Sequence, residues 1–163
     1  MKATLVFPVK NNQILLARKM KKVGAGKWNG FGGKSEPEDE TVRDTACREL
    51  YEETGEGIKT KREDLIPKAV IDFYFFKNNS KEPDFSVAIY FTENFEGEAV
   101  GTDEMQDPTW FSFKDVPYQE MLPADRDFIP KLFGDKTFRG KVRFTEGMND
   151  VLDSNYEEVT IEI

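Results

Sequence analysis

Apolar residues form short runs or alternate with polar ones along most of the chain, a pattern typical of β-strands. These runs are rich in β-branched and aromatic residues and lie at 4–9, 14–17, 69–76, 85–95, 110–113, 138–144 and 159–163. Asn11 and Asn12 separate the first two runs. Because asparagine tolerates a left-handed backbone, we predict a tight hairpin turn there.

One segment has clear helical spacing. Val42, Ala46 and Leu50 recur every fourth residue, and both ends of the segment carry helix signals. Thr41 and Asp44 match a capping box, and a left-handed terminator is expected at position 55, which is glycine. We therefore predict a helix over 42–54.

A second helix is predicted over 123–133. It has proline near its start, and its apolar face is formed by Phe128, Ile129, Leu132 and Phe133. Pro130 lies inside this segment and argues against a regular helix there. Strands and helices together indicate an α/β fold in which a sheet is flanked by helices.

Length and charge narrow the possible functions. The 163 residues suit a single domain spanning 1–163, and the net charge of −8 argues against binding a nucleic-acid backbone. The chain has no histidine, so carboxylates would have to carry any catalysis, with hard ions such as Mg²⁺ or Mn²⁺.

No apolar stretch is long enough to span a membrane, and Cys47 is the only cysteine. We expect a monomeric, cytoplasmic protein without membrane or nucleic-acid partners.

Three carboxylates lie close together on the predicted first helix. Glu49, Glu52 and Glu53 occupy positions i, i+3 and i+4, so they project from one face and repel one another. A bound divalent cation would turn that repulsion into attraction. The triplet alone is equally compatible with a solvated acidic face.

The context of this triplet resembles the Nudix box, G-x5-E-x7-R-E-U-x-E-E-x-G-U, where U is aliphatic. Gly33, Glu40, the run 48–50, the pair 52–53 and Gly55 match its letters. Two departures occur: six residues instead of five separate Gly33 from Glu40, and the final aliphatic position is Glu56. Neither removes a carboxylate.

The resemblance extends to the animal oxidized-purine nucleoside triphosphate hydrolases of that family. It is carried by the glycine loop 24–34, by the runs 103–105 and 110–111, and by Met121 with Pro123 and Asp125. It implies the Nudix fold, a mixed β-sheet sandwiched between helices (α-β-α). It also implies hydrolysis of a purine nucleoside triphosphate, such as 8-oxo-dGTP or dGTP, to the monophosphate and pyrophosphate.

Carried over by position, the resemblance implies a set of Mg²⁺ ligands: Glu49, Glu52, Glu53, Glu104 and the main-chain carbonyl of Gly32. Arg48 and Glu40 would pair and orient the helix carboxylates. One glutamate would also take the proton from the attacking water. Glu53 is our first choice, with Glu52 and Glu104 as rivals.

The implied base pocket departs from the family pattern. Asn29, Phe73 and Met105 match it, but Leu122 replaces a stacking tryptophan and alanine at 124 replaces the first of two aspartates, which leaves Asp125. We therefore hypothesise that the chain acts on fewer oxidised purines than its relatives. Thr4 and Lys21 also match family positions that line the nucleotide site. Lys21 could equally be a charged surface residue without a role in binding.

Other interpretations stay open. The chain could instead hydrolyse ADP-ribose, a dinucleoside polyphosphate or an RNA 5′ end, or be a catalytically silent nucleotide-binding module. Trp28 and Trp110 are interpreted as core or loop-anchoring aromatic residues. Cys47 is interpreted as a small apolar residue and not as a nucleophile.

Overall fold

The computed structural model describes all 163 residues as ten strands and two α-helices. Numbered in chain order, the strands are β1 (Lys2–Lys10), β2 (Gln13–Lys19), β3 (Trp28–Asn29), β4 (Ile58–Thr60), β5 (Leu65–Tyr74), β6 (Phe85–Thr92), β7 (Phe95–Gly97), β8 (Met105–Ser112), β9 (Phe138–Phe144) and β10 (Val151–Glu158). The helices are α1 (Val42–Glu53) and α2 (Pro123–Leu132). Neither helix is long and apolar enough to cross a membrane.

Eight strands form one mixed sheet in the order β10-β9-β5-β6-β1-β2-β3, with β8 paired to β2. The pairs β1–β6 and β5–β9 are parallel, and the other neighbours are antiparallel. The small strands β4 and β7 pair separately. The first two strands are joined at Asn11 and Asn12, whose φ angles of 50° and 59° confirm the predicted left-handed turn.

Alternation along the central strands gives the sheet two apolar faces. On β1, Phe7 belongs to a cluster of 18 buried residues and Val6 to a separate cluster of 11. The larger cluster includes Phe128 of α2, and the smaller one includes Leu50 of α1. One helix therefore covers each face, which confirms the predicted arrangement of a mixed sheet between helices.

The sequence signals at the ends of α1 are confirmed. Thr41 and Asp44 form a reciprocal capping box, and Gly55 has φ of 68° just after the helix. Leu50 and Ala46 are completely buried against the sheet. The helix is thus fixed at both ends and along its apolar side, so its remaining carboxylates keep a defined position.

The second helix also forms where it was predicted. It begins at Pro123, and Phe128, Ile129 and Leu132 are buried, with Pro130 inside the helix and exposed to solvent. The proline ring therefore points toward solvent and away from the core. On that side of the helix it interrupts only the helix's own hydrogen bonding.

The predicted strand at 159–163 is wrong, because the last strand is β10 and the following residues have no regular structure. The sequence of β10 is almost entirely polar, so it lacks the alternation that marks a half-buried strand. Ile161 is buried nevertheless, which explains the apolar pattern there.

The prediction of one strand at 85–95 joined two strands, β6 and β7, that a turn separates. That the chain is a single domain stays a prediction.

Candidate active site

The site forms where the first two strands separate. β2 pairs with β1 only next to their turn, and the glycine loop then lies beside β1 in its place. The amide of Thr4 donates to the carbonyl of Gly33 at 2.9 Å, and the amide of Phe31 donates to the carbonyl of Val6 at 3.0 Å. This backbone pairing brings the loop against the carboxylate side of α1.

Two glycines make this approach possible. A Cβ at position 32 would overlap the backbone of Thr4, and a Cβ at position 33 would lie 2.5 Å from the carboxyl group of Glu49. Glycine is therefore required at both positions by close packing, since neither has a positive φ. The loop backbone can approach a bound phosphate for the same reason.

Glu53 links the helix to the loop. Its Oε2 accepts a hydrogen bond from the Gly32 amide at 2.9 Å. Burial raises the pKa of Glu53 to about 7, and the charges of Glu49 and Glu104 contribute in the same direction. A carboxylate with such a pKa is half protonated near neutrality, which suits a general base.

Glu49 and Glu52 share one arginine. Arg48 Nη1 donates to Glu49 Oε1 at 3.0 Å and to Glu52 Oε2 at 3.3 Å. The Glu49 side chain is 15% exposed and that of Glu52 is 56% exposed. Burial raises the pKa of Glu49, whereas Arg48 opposes that shift. Arg48 therefore links the two carboxylates.

The predicted pairing of Arg48 with Glu40 is wrong. Arg48 donates from Nε to Asp39 Oδ1 at 2.9 Å and from Nη2 to Asp39 Oδ2 at 2.7 Å, while Glu40 is exposed. Asp39 also accepts from the Thr45 hydroxyl at 2.9 Å. Five residues separate Gly33 from Asp39, which is the spacing that the Nudix box gives for its first acidic residue. The additional residue of this chain therefore lies between Asp39 and Arg48, and not before Asp39.

The acidic residues fit a hard cation by type, although they do not form a ready cage. No three or more acidic residues are already arranged to hold a metal ion. Burial is the main cause of the raised pKa of Glu53, and repulsion by the charges of Glu49 and Glu104 adds to it. A divalent cation would remove that repulsion, and oxygen donors are the ligands that Mg²⁺ prefers.

Lys19 is a site residue that the sequence reasoning missed. Burial lowers its pKa, and the charges of Glu53, Asp125 and Glu104 oppose that shift, so this ammonium interacts electrostatically with all three carboxylates. Lys21, the lysine named from the sequence, is exposed. The two positions have the same strand parity, so only the end of β2 distinguishes them: Lys19 is its last residue and pairs with Met105, whereas Lys21 follows the strand.

Asp125 is the most unusual carboxyl group of the chain. It is 5% exposed, and its Oδ2 has no hydrogen-bond partner. Burial raises its pKa to about 7, a shift that the charge of Lys19 opposes. Beside it, Ala124 is buried in the core, and Leu122 contacts the glycine loop at Gly24. A buried acceptor without a partner points to a ligand that supplies the donor.

The remaining predicted pocket residues lie in different environments. The Thr4 hydroxyl is buried without a partner, and Asn29 Oδ1 accepts from the Gly30 amide at 2.9 Å. Phe73 stacks on Phe144 with ring centroids 5.8 Å apart. Met105 is 1% exposed and packs in the cluster beneath α1. Contacts of these residues with a base stay predictions.

The two tryptophans serve as structural anchors. Trp28 meets Phe111 edge-on at 5.0 Å between ring centroids, and Trp110 stacks on Phe95 at 6.1 Å. Cys47 is half-buried, and burial raises its pKa to about 11. Such a thiol stays protonated at neutral pH, which argues against a nucleophile.

Comparisons with known proteins identify the family and the fold. The chain matches the NUDIX domain over residues 1–132. It is 35% identical over 156 residues to the oxidized purine nucleoside triphosphate hydrolase of Danio rerio, covering 96% of this chain and 94% of that protein. Identity to the Mus musculus protein of the same name is 34%, with the same coverage. The fold matches a MutT protein from Bacillus halodurans with a TM-score of 0.80 at 23% identity, over 96% of this chain and 97% of that one.

Proposed function

This chain belongs to the NUDIX domain family, and we propose that it hydrolyses purine nucleoside triphosphates to the monophosphate and pyrophosphate. The proposed substrates include oxidised purines such as 8-oxo-dGTP, so the enzyme would remove damaged nucleotides from the pool that serves DNA synthesis. The activity named for its relatives supports this assignment. Enzymes of the family generally use a divalent metal ion, and we infer Mg²⁺ here.

The observation that carries the proposal is that two kinds of carboxyl group both act on the charge of Lys19. One is Glu53 of α1, which contacts the glycine loop, and the other is the buried Asp125, whose Oδ2 lacks a partner. A nucleotide has two ends with matching chemistry. Its polyphosphate needs cations, and the edge of its base supplies N–H donors. The lysine would lie between them.

The metal would be held by carboxylates of Glu49, Glu52, Glu53 and Glu104 and by the carbonyl of Gly32. When bound, it would neutralise the charge of the polyphosphate and polarise the phosphoanhydride. Arg48 would keep Glu49 in place through its contact of 3.0 Å. The glycine loop would let the phosphates approach the backbone beside α1.

Glu53 is the general base that the geometry supports best. It is partly buried beside the loop, and its pKa of about 7 makes it able to accept a proton at neutral pH. Glu52 is exposed and paired with Arg48, and Glu104 is exposed in a turn. Both are therefore better suited to ligand roles than to activating a water molecule.

The base pocket supports selectivity among purines. Leu122 offers no aromatic platform, and stacking on one is worth about 1–3 kcal/mol per base. Ala124 leaves Asp125 without a neighbouring carboxyl group at the previous position. We propose that the chain prefers one oxidised purine over the other, because it has only one of the two aspartates that the family resemblance implies.

A substrate panel tests the function. The protein with Mg²⁺ is incubated with 8-oxo-dGTP, 2-hydroxy-dATP, dGTP, ADP-ribose and a dinucleoside polyphosphate. Pyrophosphate release, nucleotide binding and the nucleotide products separated by chromatography are measured for each, because the last two compounds are cleaved without releasing pyrophosphate. We expect pyrophosphate from the purine triphosphates, with unequal kcat/KM for the two oxidised purines. Binding without turnover would identify a silent module, and hydrolysis of ADP-ribose alone would replace the proposed substrate class.

We further infer that the protein acts as a monomeric, single-domain enzyme of the cytoplasm on free nucleotides. Its net charge of −8 supports the choice of a free nucleotide, because an acidic surface repels a nucleic-acid backbone. Size-exclusion chromatography with light scattering tests the oligomeric state, and one molecule of 18.8 kDa is expected.

A further inference from the structure

Arg18 contacts two other parts of the chain at once. Its Nη2 donates to Oε1 of Glu120 at 3.1 Å, and its Nη1 donates to the carbonyl of Gly26 at 3.2 Å. The guanidinium also lies over the ring of Trp28, with Cζ 4.6 Å from the ring centroid. A guanidinium carries its N–H donors in fixed directions in one plane, so it can hold two acceptors while its face packs on an aromatic ring. Arg18 thus joins β2 to the glycine loop and to the short 3₁₀ helix at Tyr118–Glu120.

The segment 20–27, which leads into the glycine loop, has few other anchors. Most of its residues are exposed. The amides of its residues 25–27 donate only to carbonyls between positions 19 and 24. Arg18 is the only residue whose side chain makes a hydrogen bond to this segment. The position of the segment relative to α2 therefore depends strongly on that arginine.

The segment that Arg18 reaches on the other side is firmly packed. Glu120 is the last residue of the 3₁₀ helix, and Met121 after it is completely buried. Arg126 of α2 donates from Nε to the carbonyl of Tyr118 at 3.0 Å, which ties the 3₁₀ helix to α2. Glu120 is therefore a fixed point to which the less anchored segment can be attached.

A second contact joins the same two parts of the chain. A Cβ at position 24 would lie 3.3 Å from Cδ1 of Leu122, so the leucine side chain packs on the backbone of Gly24. The carbonyl of Leu122 accepts from the amide of Asp125 at 3.0 Å. Leu122 and Asp125 are the two residues of α2 and its N-cap that we propose for the base. Movement of the segment 20–27 away from Leu122 would remove one side of that pocket.

We propose that Arg18 and Glu120 are positioning residues that hold the segment 20–27 against the start of α2 and thereby keep Leu122 in place for the base. The inference rests on the proposed purine triphosphate hydrolysis and adds two residues that act through others. The pair is partly exposed, with 34% of the Arg18 side chain and 56% of the Glu120 side chain accessible. Exposed ion pairs contribute modestly, so we expect effects of several-fold and not of orders of magnitude.

The first test measures the loop without nucleotide. Amide hydrogen exchange of the segment 20–27 is followed by mass spectrometry in the wild type, Arg18→Met and Glu120→Gln. Methionine keeps a long apolar side chain over the tryptophan ring, and glutamine keeps the shape of the acid. Arg62→Met is the matched control, because Arg62 forms a partly exposed ion pair with Asp44 of α1 at 3.4 Å.

Exchange of the segment should become about twofold to fivefold faster in both Arg18→Met and Glu120→Gln, as expected when a partly exposed ion pair no longer opposes local opening. In about 1 M NaCl the wild type should exchange about as fast as Glu120→Gln, because the screening length falls to about 3 Å. Arg62→Met should exchange like the wild type. Unchanged exchange in both variants would overturn the proposal.

The second test uses turnover of 8-oxo-dGTP. In each single variant we expect KM to rise about twofold to fivefold while kcat stays within about twofold, because the pair acts on base binding and not on the reacting atoms. Glu120→Gln should have no further effect in the Arg18→Met background, since its partner is already lost. Additive effects, or a fall in kcat with unchanged KM, would contradict a shared positioning role.

The two tests separate this proposal from the proposed function. If none of the triphosphates is hydrolysed, the proposed function fails, whereas hydrogen exchange still decides whether Arg18 and Glu120 hold the segment 20–27. Faster exchange together with unchanged KM would overturn the link to base binding. Hydrolysis with unchanged exchange would leave the proposed function in place and overturn the role of the pair.

Discussion

The amide of Gly32 donates a hydrogen bond to Oε2 of Glu53 at 2.9 Å, which joins the last turn of α1 to the loop beside β1. The same glutamate is partly buried, and its burial raises its pKa to about 7. One contact therefore fixes the position of a carboxylate that is suited to proton transfer.

Glu53→Gln keeps the size of the side chain but cannot accept the proton. We expect kcat to fall by about 10²–10⁴-fold, the usual contribution of a general base, while the melting temperature stays equal or rises. Steady-state kinetics with saturating Mg²⁺ measure this. Glu52→Gln is the matched variant, and a larger loss there than at Glu53 would transfer the role to Glu52.

Asp39→Asn tests the arginine anchor. The amide cannot reproduce the two charged contacts to Arg48, so we expect unfolding stability to fall by about 1.5–3 kcal/mol, the value of hydrogen bonds to charged groups. We also expect activity to fall about 10–100-fold, as for other residues that orient metal ligands. Denaturant unfolding and kcat/KM measure the two effects.

Glu40→Gln is the control for that variant, since Glu40 is exposed and makes no contact with Arg48. It should change unfolding stability by no more than about 0.5 kcal/mol. Equal losses at positions 39 and 40 would restore the original assignment of Glu40 as the partner of Arg48.

Gly33→Ala tests the close approach of loop and helix. The new Cβ would lie 2.5 Å from the carboxyl group of Glu49, so this side chain or the loop must move. Because a displacement of about 1 Å can cost 10²-fold in rate, we expect a loss of at least tenfold in kcat/KM and weaker Mg²⁺ binding. Gly134→Ala, whose Cβ would meet only the Lys131 carbonyl at 3.5 Å, should retain both.

The buried Asp125 should make the protein less stable at higher pH. Its folded pKa of about 7 lies above the ordinary value of 3.8, so the folded state binds the proton more tightly. The stabilisation is complete below about pH 4 and is lost as the pH rises toward 7, at roughly 1.4 kcal/mol for each pKa unit.

Asp125→Asn removes that titration. We expect the variant to unfold at a higher denaturant concentration than the wild type at pH 8, and to lose this advantage at pH 4. Its kcat/KM for purine triphosphates should fall at both pH values. A wild type and variant that respond identically to pH would indicate that Asp125 is ionised throughout and that its burial is offset by other contacts.

The sequence predicted the parts of the fold that local chemistry determines. The capping box at Thr41 and the glycine after α1 fix a helix by contacts within a few residues, and both could be read directly. β10 could not be predicted from the sequence, because most of its side chains are exposed and only its pairing with β9 makes it a strand. Non-local backbone pairing leaves no periodic signal in such a sequence.

The candidate site, like the fold, could be predicted only where local sequence determines it. The carboxylates of α1 follow from helical spacing, whereas the partner of Arg48 depends on the path of a loop. A one-residue difference in that path placed Asp39, and not Glu40, against the guanidinium. Lys19 was missed because its role depends on where β2 ends relative to α1 and α2, a relation that only the assembled sheet defines.

The central claim is that the carboxylates of α1, held by Arg48 and the glycine loop, bind divalent cations. A crystal grown with Mn²⁺ and measured at the manganese absorption edge tests it directly, because anomalous scattering locates the ion without assumptions about ligands. We expect a peak between Glu49, Glu53 and the Gly32 carbonyl, with Glu52 or Glu104 completing the shell. Peaks elsewhere, or none there in an active enzyme, would contradict the account.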